Sequence, residues 1–188
     1  METEKVIKER RSTRGFTAEK ISDDAINKIV ESAFYAPLAV NTVSWHLTVL
    51  KNEEVIDRLA GEIKEFLSID PAEHVKKRLA MDGFSPFYNA KTVIVMTVDE
   101  ENKYSHENAG ASIQNMLLTA KDMGIDSIWV GMGNVYLKTE KGKKFLKDIG
   151  APEEYEIIAC LGFGYRNYDV PMPDKHLGEY DKIVNVID

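Results

Sequence analysis

The sequence predicts an α+β sandwich in which a mixed, mainly antiparallel central sheet is flanked by helices. Three observations lead there. Stretches with helical spacing are interleaved with strand-patterned stretches, but not in strict alternation. One stretch, "KTVIVMTV" at 91–98, is apolar almost throughout, the pattern of a strand covered on both faces. The 188 residues carry no repeat, low-complexity tract or linker, so a single domain spanning 1–188 can bury one core.

The elements follow in order. In "ISDDAINKIVESAFYAP", Ser22 is placed to cap a helix, two acids occupy its first turn, and Ile26, Ile29, Val30, Ala33 and Phe34 share a face before Pro37. "WHLTVL" at 45–50 alternates like a strand, and "EEVIDRLAGEIKEFL" returns to helical spacing. "PAEHVKKRLA" reads as a short helix with Pro71 at its start. "MDGFSPFYNA" mixes turn residues with aromatics and predicts a mobile or substrate-facing connection around Phe84, Phe87 and Tyr88. After the mid-sheet strand at 91–98, "ENAGASIQNMLLTAKDM" predicts a helix apolar over much of its circumference and closed by Gly124. "DSIWVG" and "EYEIIACLGFG" read as strands, with the amphipathic "TEKGKKFLKDIG" between them ending at Gly150. The tail "GEYDKIVNVID" fits either a helix or a final strand.

Composition narrows the partners. With 31 acidic against 24 basic residues the formal charge is −7, which repels a polyanion wherever cations are not locally gathered, so no nucleic-acid partner is expected. No stretch approaches the roughly 18 to 20 apolar residues of a membrane span, and "METEKVIKERR" lacks the apolar segment of a secretory signal. The sole cysteine, Cys160, lies in an apolar run, so an intrachain disulfide and a CxxC metal site are excluded; a cytoplasmic protein with a buried thiol is expected. His46, His74, His106 and His176 have no ligand spacing, so no metal is expected. The GxSxG, HExxH and GxxxxGK[ST] motifs are absent, and "GFGYRN" lacks both a third glycine and the chain needed to complete a βαβ unit.

What remains is "KERRSTRGF" at 8–16. If a helix from Val6 to Arg11 breaks before Phe16, then Arg10, Arg11, Ser12 and Arg14 can converge on one anion, and guanidinium forks with a hydroxyl suit a phosphate monoester. Spacing alone does not separate that site from the solvated end of a helix, which is the commoner fate of such a charge run.

Four pieces in order, "RRSTRGF", "APLAVNTVSWHLTVL", "GASIQNMLLTAKDMGIDSIWVGMG" and "LGFGYRNYDVPMPDK", resemble the FMN-dependent nitroreductase family over nearly the whole chain. The resemblance implies an interlocked homodimer with FMN in each of two interface clefts, NADH or NADPH as reductant, and a small-molecule acceptor. Arg10, Arg11, Ser12 and Arg14 resemble the family's R-x-S-x-[RK] stretch, with the first residues on the phosphate and ribityl chain. Arg14 is implied beside the pyrimidine edge of the ring, where a fixed cation favours the negatively charged reduced form.

Pro37, Leu38 and Asn41 resemble the P-S-x-x-N-x-Q-P-W segment that the second subunit supplies, although Leu38, Val43 and Ser44 replace the usual Ser, Gln and Pro. Met132 and Gly133 fall in "WVGMGN", which resembles the loop past the flavin's reactive edge; the same glycines also suit a plain turn after a strand. Lys175, with Arg166 as fallback, resembles the basic residue that closes on the phosphate. No side-chain acid or base is implied as catalytic, because the flavin carries the chemistry. The implied reaction is ping-pong transfer from NAD(P)H to a nitroaromatic, quinone or flavin. The departures at Leu38 and Val43 leave dehalogenation, enone reduction, flavin breakdown or flavin binding without turnover as alternatives.

Overall fold

A computed structural model describes residues 2–69, 71–172, 175, 178, 183, 184, 186 and 187. It contains α1 (Thr3–Glu9), α2 (Asp23–Ala33), a short 3-10 turn (Ala39–Asn41), β1 (Trp45–Leu50), α3 (Glu53–Leu67) and α4 (Glu73–Leu79). There follow β2 (Thr92–Asp99), α5 (Ser105–Asp122), β3 (Asp126–Trp129), α6 (Gly131–Leu137), α7 (Glu140–Asp148) and β4 (Tyr155–Gly164). The strands form one sheet in the order β1-β2-β4-β3, every neighbour antiparallel. Parallel pairing is confined, among the described residues, to the bridge between Ser12 and Ser127 beside β3. Pro173, Asp174 and much of the predicted tail element lie outside the described residues.

The strand of continuous apolar character is the centre of the sheet. Seven of the eight residues of β2 are buried, and the two-residue period of the strand sends them to opposite layers. Val93 and Val95 join α3, α6 and α7 residues on one side; Ile94, Met96 and Val98 join α2 and α5 residues on the other. Burial on both faces explains why β2 reads as a run rather than an alternation.

Three of the helices, α2, α3 and α7, start where a side chain satisfies free backbone N–H groups. Ser22 Oγ accepts from Ala25 N at 3.2 Å, and Asn52 Oδ1 accepts from Glu54 N at 2.9 Å. Thr139 Oγ1 accepts from Gly142 N at 3.1 Å. α5 lies along one face of the sheet and carries α2 on its outer side. Its buried positions Asn108, Ala109, Ser112, Ile113, Met116, Leu117 and Ala120 follow helical spacing. On the opposite flank Gly110 and Ala111 are half-buried and Gln114 is exposed within one chain.

Candidate functional site

The Arg-rich stretch does not continue α1. The helix ends at Glu9 instead of the expected Arg11, and Arg10 is already extended at φ −60 and ψ 127. Tertiary pairing competes with the helix here. Thr13 N donates to Ser127 O at 3.0 Å, Phe16 N to Tyr88 O at 3.0 Å, and Thr17 N to Tyr165 O at 2.9 Å, while Asn167 N donates to Gly15 O at 2.9 Å. An extended chain alternates sides, so Thr13 and Gly15 are buried and Arg14 between them is exposed. A side chain at Gly15 would place its first carbon 2.5 Å from Val170 Cγ2, which accounts for the glycine.

Arg10, Arg11 and Ser12 are half-buried. Burial, and secondarily repulsion from the Arg11 guanidinium, lower the Arg10 pKa from its ordinary value. Two guanidiniums held this close in a partly desolvated position favour a bound anion, which relieves both costs.

Arg14 lines a cleft of about 350 Å³ together with His74, Arg78, Tyr88, Gly131 and Met132. Among the described residues no carboxylate lines it. The loop predicted at 129–134 is instead the end of β3 at Trp129, the cap residue Val130 and the first turn of α6. Its two glycines do different things. Gly131 is exposed beside open space, whereas a side-chain carbon at Gly133 would meet Cys160 Sγ at 2.8 Å, so Gly133 lets α6 pack against β4. Burial pushes the Cys160 thiol up to about 12, and it acts as core. Of the aromatics in the 81–90 connection only Tyr88 lines this cleft; Phe87 is in the core and Phe84 is buried.

Pro37, Leu38 and Asn41 do not line the Arg14 cleft within one chain. They belong to a surface turn in which Val40 and Asn41 take left-handed backbone at φ 53 and φ 51, costly for a β-branched residue. Asn108, invisible as a site residue in the sequence, holds that turn. Its Oδ1 accepts from Ala39 N at 2.8 Å, and its Nδ2 donates to Thr42 O at 3.3 Å and Ser44 Oγ at 3.4 Å. The available signal was its helical spacing with Ser112 and Met116, which puts an amide on the buried face of α5. Asn108→Ala is expected to lower stability by about 2 kcal/mol, because it strands buried polar partners, and to loosen the 38–44 turn. Chemical denaturation and amide exchange at Ala39 test this.

The remaining candidates are more dispersed. Trp45 is core, edge-on to Phe34 at 5.0 Å. The Arg166 guanidinium sits 4.8 Å over the Tyr168 ring while residue 166 pairs with Phe16, and Lys175 is exposed. Among the described residues no group of three or more His, Cys, Asp or Glu is placed to hold a metal, and no helix is long and apolar enough to cross a membrane.

The antiparallel sheet thus lies between two helical layers, and the cationic stretch is clamped to its β3 edge by the pairing of Ser12 and Thr13 with Ser127. The Nitroreductase family profile matches residues 7–165, and the chain belongs to that family. A relative from Archaeoglobus fulgidus, provisionally named NADH dehydrogenase/NAD(P)H nitroreductase, is 30% identical over 186 residues, covering 96% of this chain and 92% of its own. A Desulfitobacterium hafniense nitroreductase solved with bound FMN superposes with a TM-score of 0.88 at 30% identity, covering 100% of this chain and 99% of the other. One from Bacteroides fragilis, also with bound FMN, gives a TM-score of 0.88 at 23% identity over 100% of both chains.

Proposed function

We propose that the chain is an FMN-dependent oxidoreductase, reduced by NADH or NADPH, that passes electrons to a flat electron-poor acceptor in two half-reactions at one cleft. The observation carrying this reading is the half-buried Arg10–Arg11 pair together with a cleft at Arg14 whose described lining carries Arg14, His74 and Arg78, on an otherwise acidic chain. The residues present fit FMN: a cation pair that favours an anion, then an open cleft bounded by a further cation and by a glycine without an obstructing side chain.

When bound, the flavin supplies the redox chemistry, accepting hydride from the nicotinamide and releasing electrons to the acceptor. The protein's own groups bind and orient. Arg10, Arg11 and Ser12 take the phosphate end, with Lys175 or Arg166 as the closing cation. Arg14 faces the ring edge where negative charge gathers on reduction. Gly131 and Met132 supply backbone beside the ring, while Gly133, expected there from the sequence, packs against Cys160 instead and is not in the described lining of the cleft; no side chain of this chain is assigned a proton-transfer role.

The functional unit in this reading is a homodimer, in which Pro37, Leu38 and Asn41 of the partner subunit complete each cleft. Its support is an exposed apolar surface at the end of α2 and the turn beyond it: Tyr35 is 77% and Val40 71% exposed, and Phe34 and Val43 lie beside them. A cytoplasmic location accords with the single unpaired cysteine.

The purified protein is expected to show flavin absorbance as isolated or after addition of FMN. NADH or NADPH should bleach it without oxygen, and menadione or nitrofurazone should restore it. A protein that stays colourless after incubation with FMN overturns the reading; a coloured protein that neither reductant bleaches overturns the enzymatic part. Size-exclusion chromatography with light scattering tests the dimer.

A further inference from the structure

We propose that Arg78 recognises an anionic group on the planar molecule that occupies the cleft, so that the pocket selects flat aromatic anions over neutral ones. The proposal rests on the flavin reading above, because it assumes that the cleft receives the reacting partner.

The lining of the cleft sets it apart. Arg14, His74 and Arg78 all face the same space of about 350 Å³, with no Asp or Glu among its described lining residues. Three other clefts do contain carboxylates: Glu53 and Asp57 in one, Glu62, Glu65 and Asp148 in another, Glu153, Glu154 and Glu156 in a third. On a chain of formal charge −7 this is a local reversal of sign, and it creates the kind of confined positive region that concentrates an anion.

Arg78 is held in place for that role. It is half-buried in the last turn of α4, and its Nη1 donates to the Tyr88 hydroxyl at 3.3 Å. Tyr88 is itself fixed by an unusual turn, in which Tyr88 and Asn89 both take left-handed backbone at φ 54 and φ 68. Three hydrogen bonds keep that turn: Tyr88 N to Ser85 O at 2.9 Å, Ala90 N to Phe87 O at 3.0 Å, and Phe16 N to Tyr88 O at 3.0 Å. Two successive non-glycine residues in this region cost free energy that the surrounding contacts must offset. The result is that the turn carrying the Tyr88 ring is tied to the same backbone that presents Arg14. A guanidinium steadied on one nitrogen keeps donors in a planar fork that matches a carboxylate or a phosphate. With Arg14 at the ring edge of the flavin in that reading, Arg78, on α4, is the cation available to the second molecule.

The anion has two possible sources: a carboxylate on the acceptor, or the 2′-phosphate that NADPH carries and NADH lacks. FMN uptake is scored first from the visible spectrum, so a failure of the flavin reading is seen separately from a coloured protein that is indifferent to charge. Isothermal titration calorimetry of the FMN-loaded protein with benzoate and with its neutral counterpart benzamide is then expected to favour benzoate by about ten- to a hundredfold, the size of one charge-assisted contact. Arg78→Gln should remove that preference and Arg78→Lys should keep part of it. In parallel, the ratio of kcat/KM for NADPH over NADH is compared between the parent and Arg78→Gln. Loss of the benzoate preference assigns the group to the acceptor, and a fall in the dinucleotide ratio assigns it to the reductant. If Arg78→Gln changes neither, the proposal is overturned.

Discussion

Arg10→Ala and Arg14→Ala are each expected to weaken FMN binding about ten- to a hundredfold while the chain stays folded. Each removes one charge-assisted contact, worth about 1.5 to 3 kcal/mol. The two should nevertheless differ. Arg10 is half-buried beside Arg11, and burial together with that repulsion lowers its pKa. Removing it therefore relieves a cost in the free protein, and Arg10→Ala should unfold no sooner than the parent in the absence of FMN. Added FMN should raise the parent's melting temperature through linkage and raise that of Arg10→Ala much less. Arg14 is exposed between buried Thr13 and Gly15; its replacement should leave thermal stability alone and make the bound flavin harder to reduce. Fluorescence titration of apoprotein with FMN, thermal melts with and without FMN, and a reduction potential for Arg14→Ala check these expectations. Parental FMN affinity in both variants would remove the stretch from the site.

Gly142→Ala is expected to destabilise the fold by about 3 kcal/mol, roughly 6 to 12 °C in melting temperature. Helix propensity alone predicts the opposite sign, because alanine inside a helix is favoured over glycine by about 1 kcal/mol. The contacts reverse it. A side-chain carbon on Gly142 would lie 2.3 Å from Tyr136 O and 2.4 Å from Leu137 Cα, both backbone atoms that no rotamer change can move. The start of α7 rests directly on the last turn of α6, which Thr139 ties together by donating to Tyr136 O at 2.7 Å while accepting from Gly142 N. Because α6 begins at Gly131 beside the cleft, displacement there should also weaken FMN retention. Gly61→Ala in α3, with nothing within 4 Å of the new carbon, is the control and should gain about 1 kcal/mol. Urea denaturation of both variants decides the matter, and equal gains for Gly142→Ala and Gly61→Ala would contradict the close approach.

Much of the fold was legible in the residues. β1 at Trp45–Leu50 and α3 at Glu53–Leu67 fall where patterning and capping place them, and the central position of β2 follows from its continuous apolar run. These features depend on local periodicity and on side chains that satisfy their own helix ends. The first turn of α6 was not legible, since Gly-Met-Gly reads as a loop by composition. It is helical because Gly133 can lie against Cys160, a contact between positions 27 residues apart in a chain that shows only one of them locally as a glycine.

The sequence by itself determined the cations of the candidate site, the glycines that let backbone approach, and the order of elements that carries them. Only the tertiary structure decided how those cations are used. Arg10 leaves the helix because Thr13, Phe16 and Thr17 find hydrogen-bond partners on β3, the Tyr88 turn and the end of β4. Asn108 becomes the anchor of the 38–44 turn because α5 brings it there from a distant part of the chain. Arg78 joins Arg14 on one cleft because the left-handed turn at Tyr88 and Asn89 binds both elements together. The physical reason is common to all three: charge, capping and periodicity are properties of neighbours in sequence, whereas the desolvation and convergence of polar groups depend on which distant backbone atoms are available to pair.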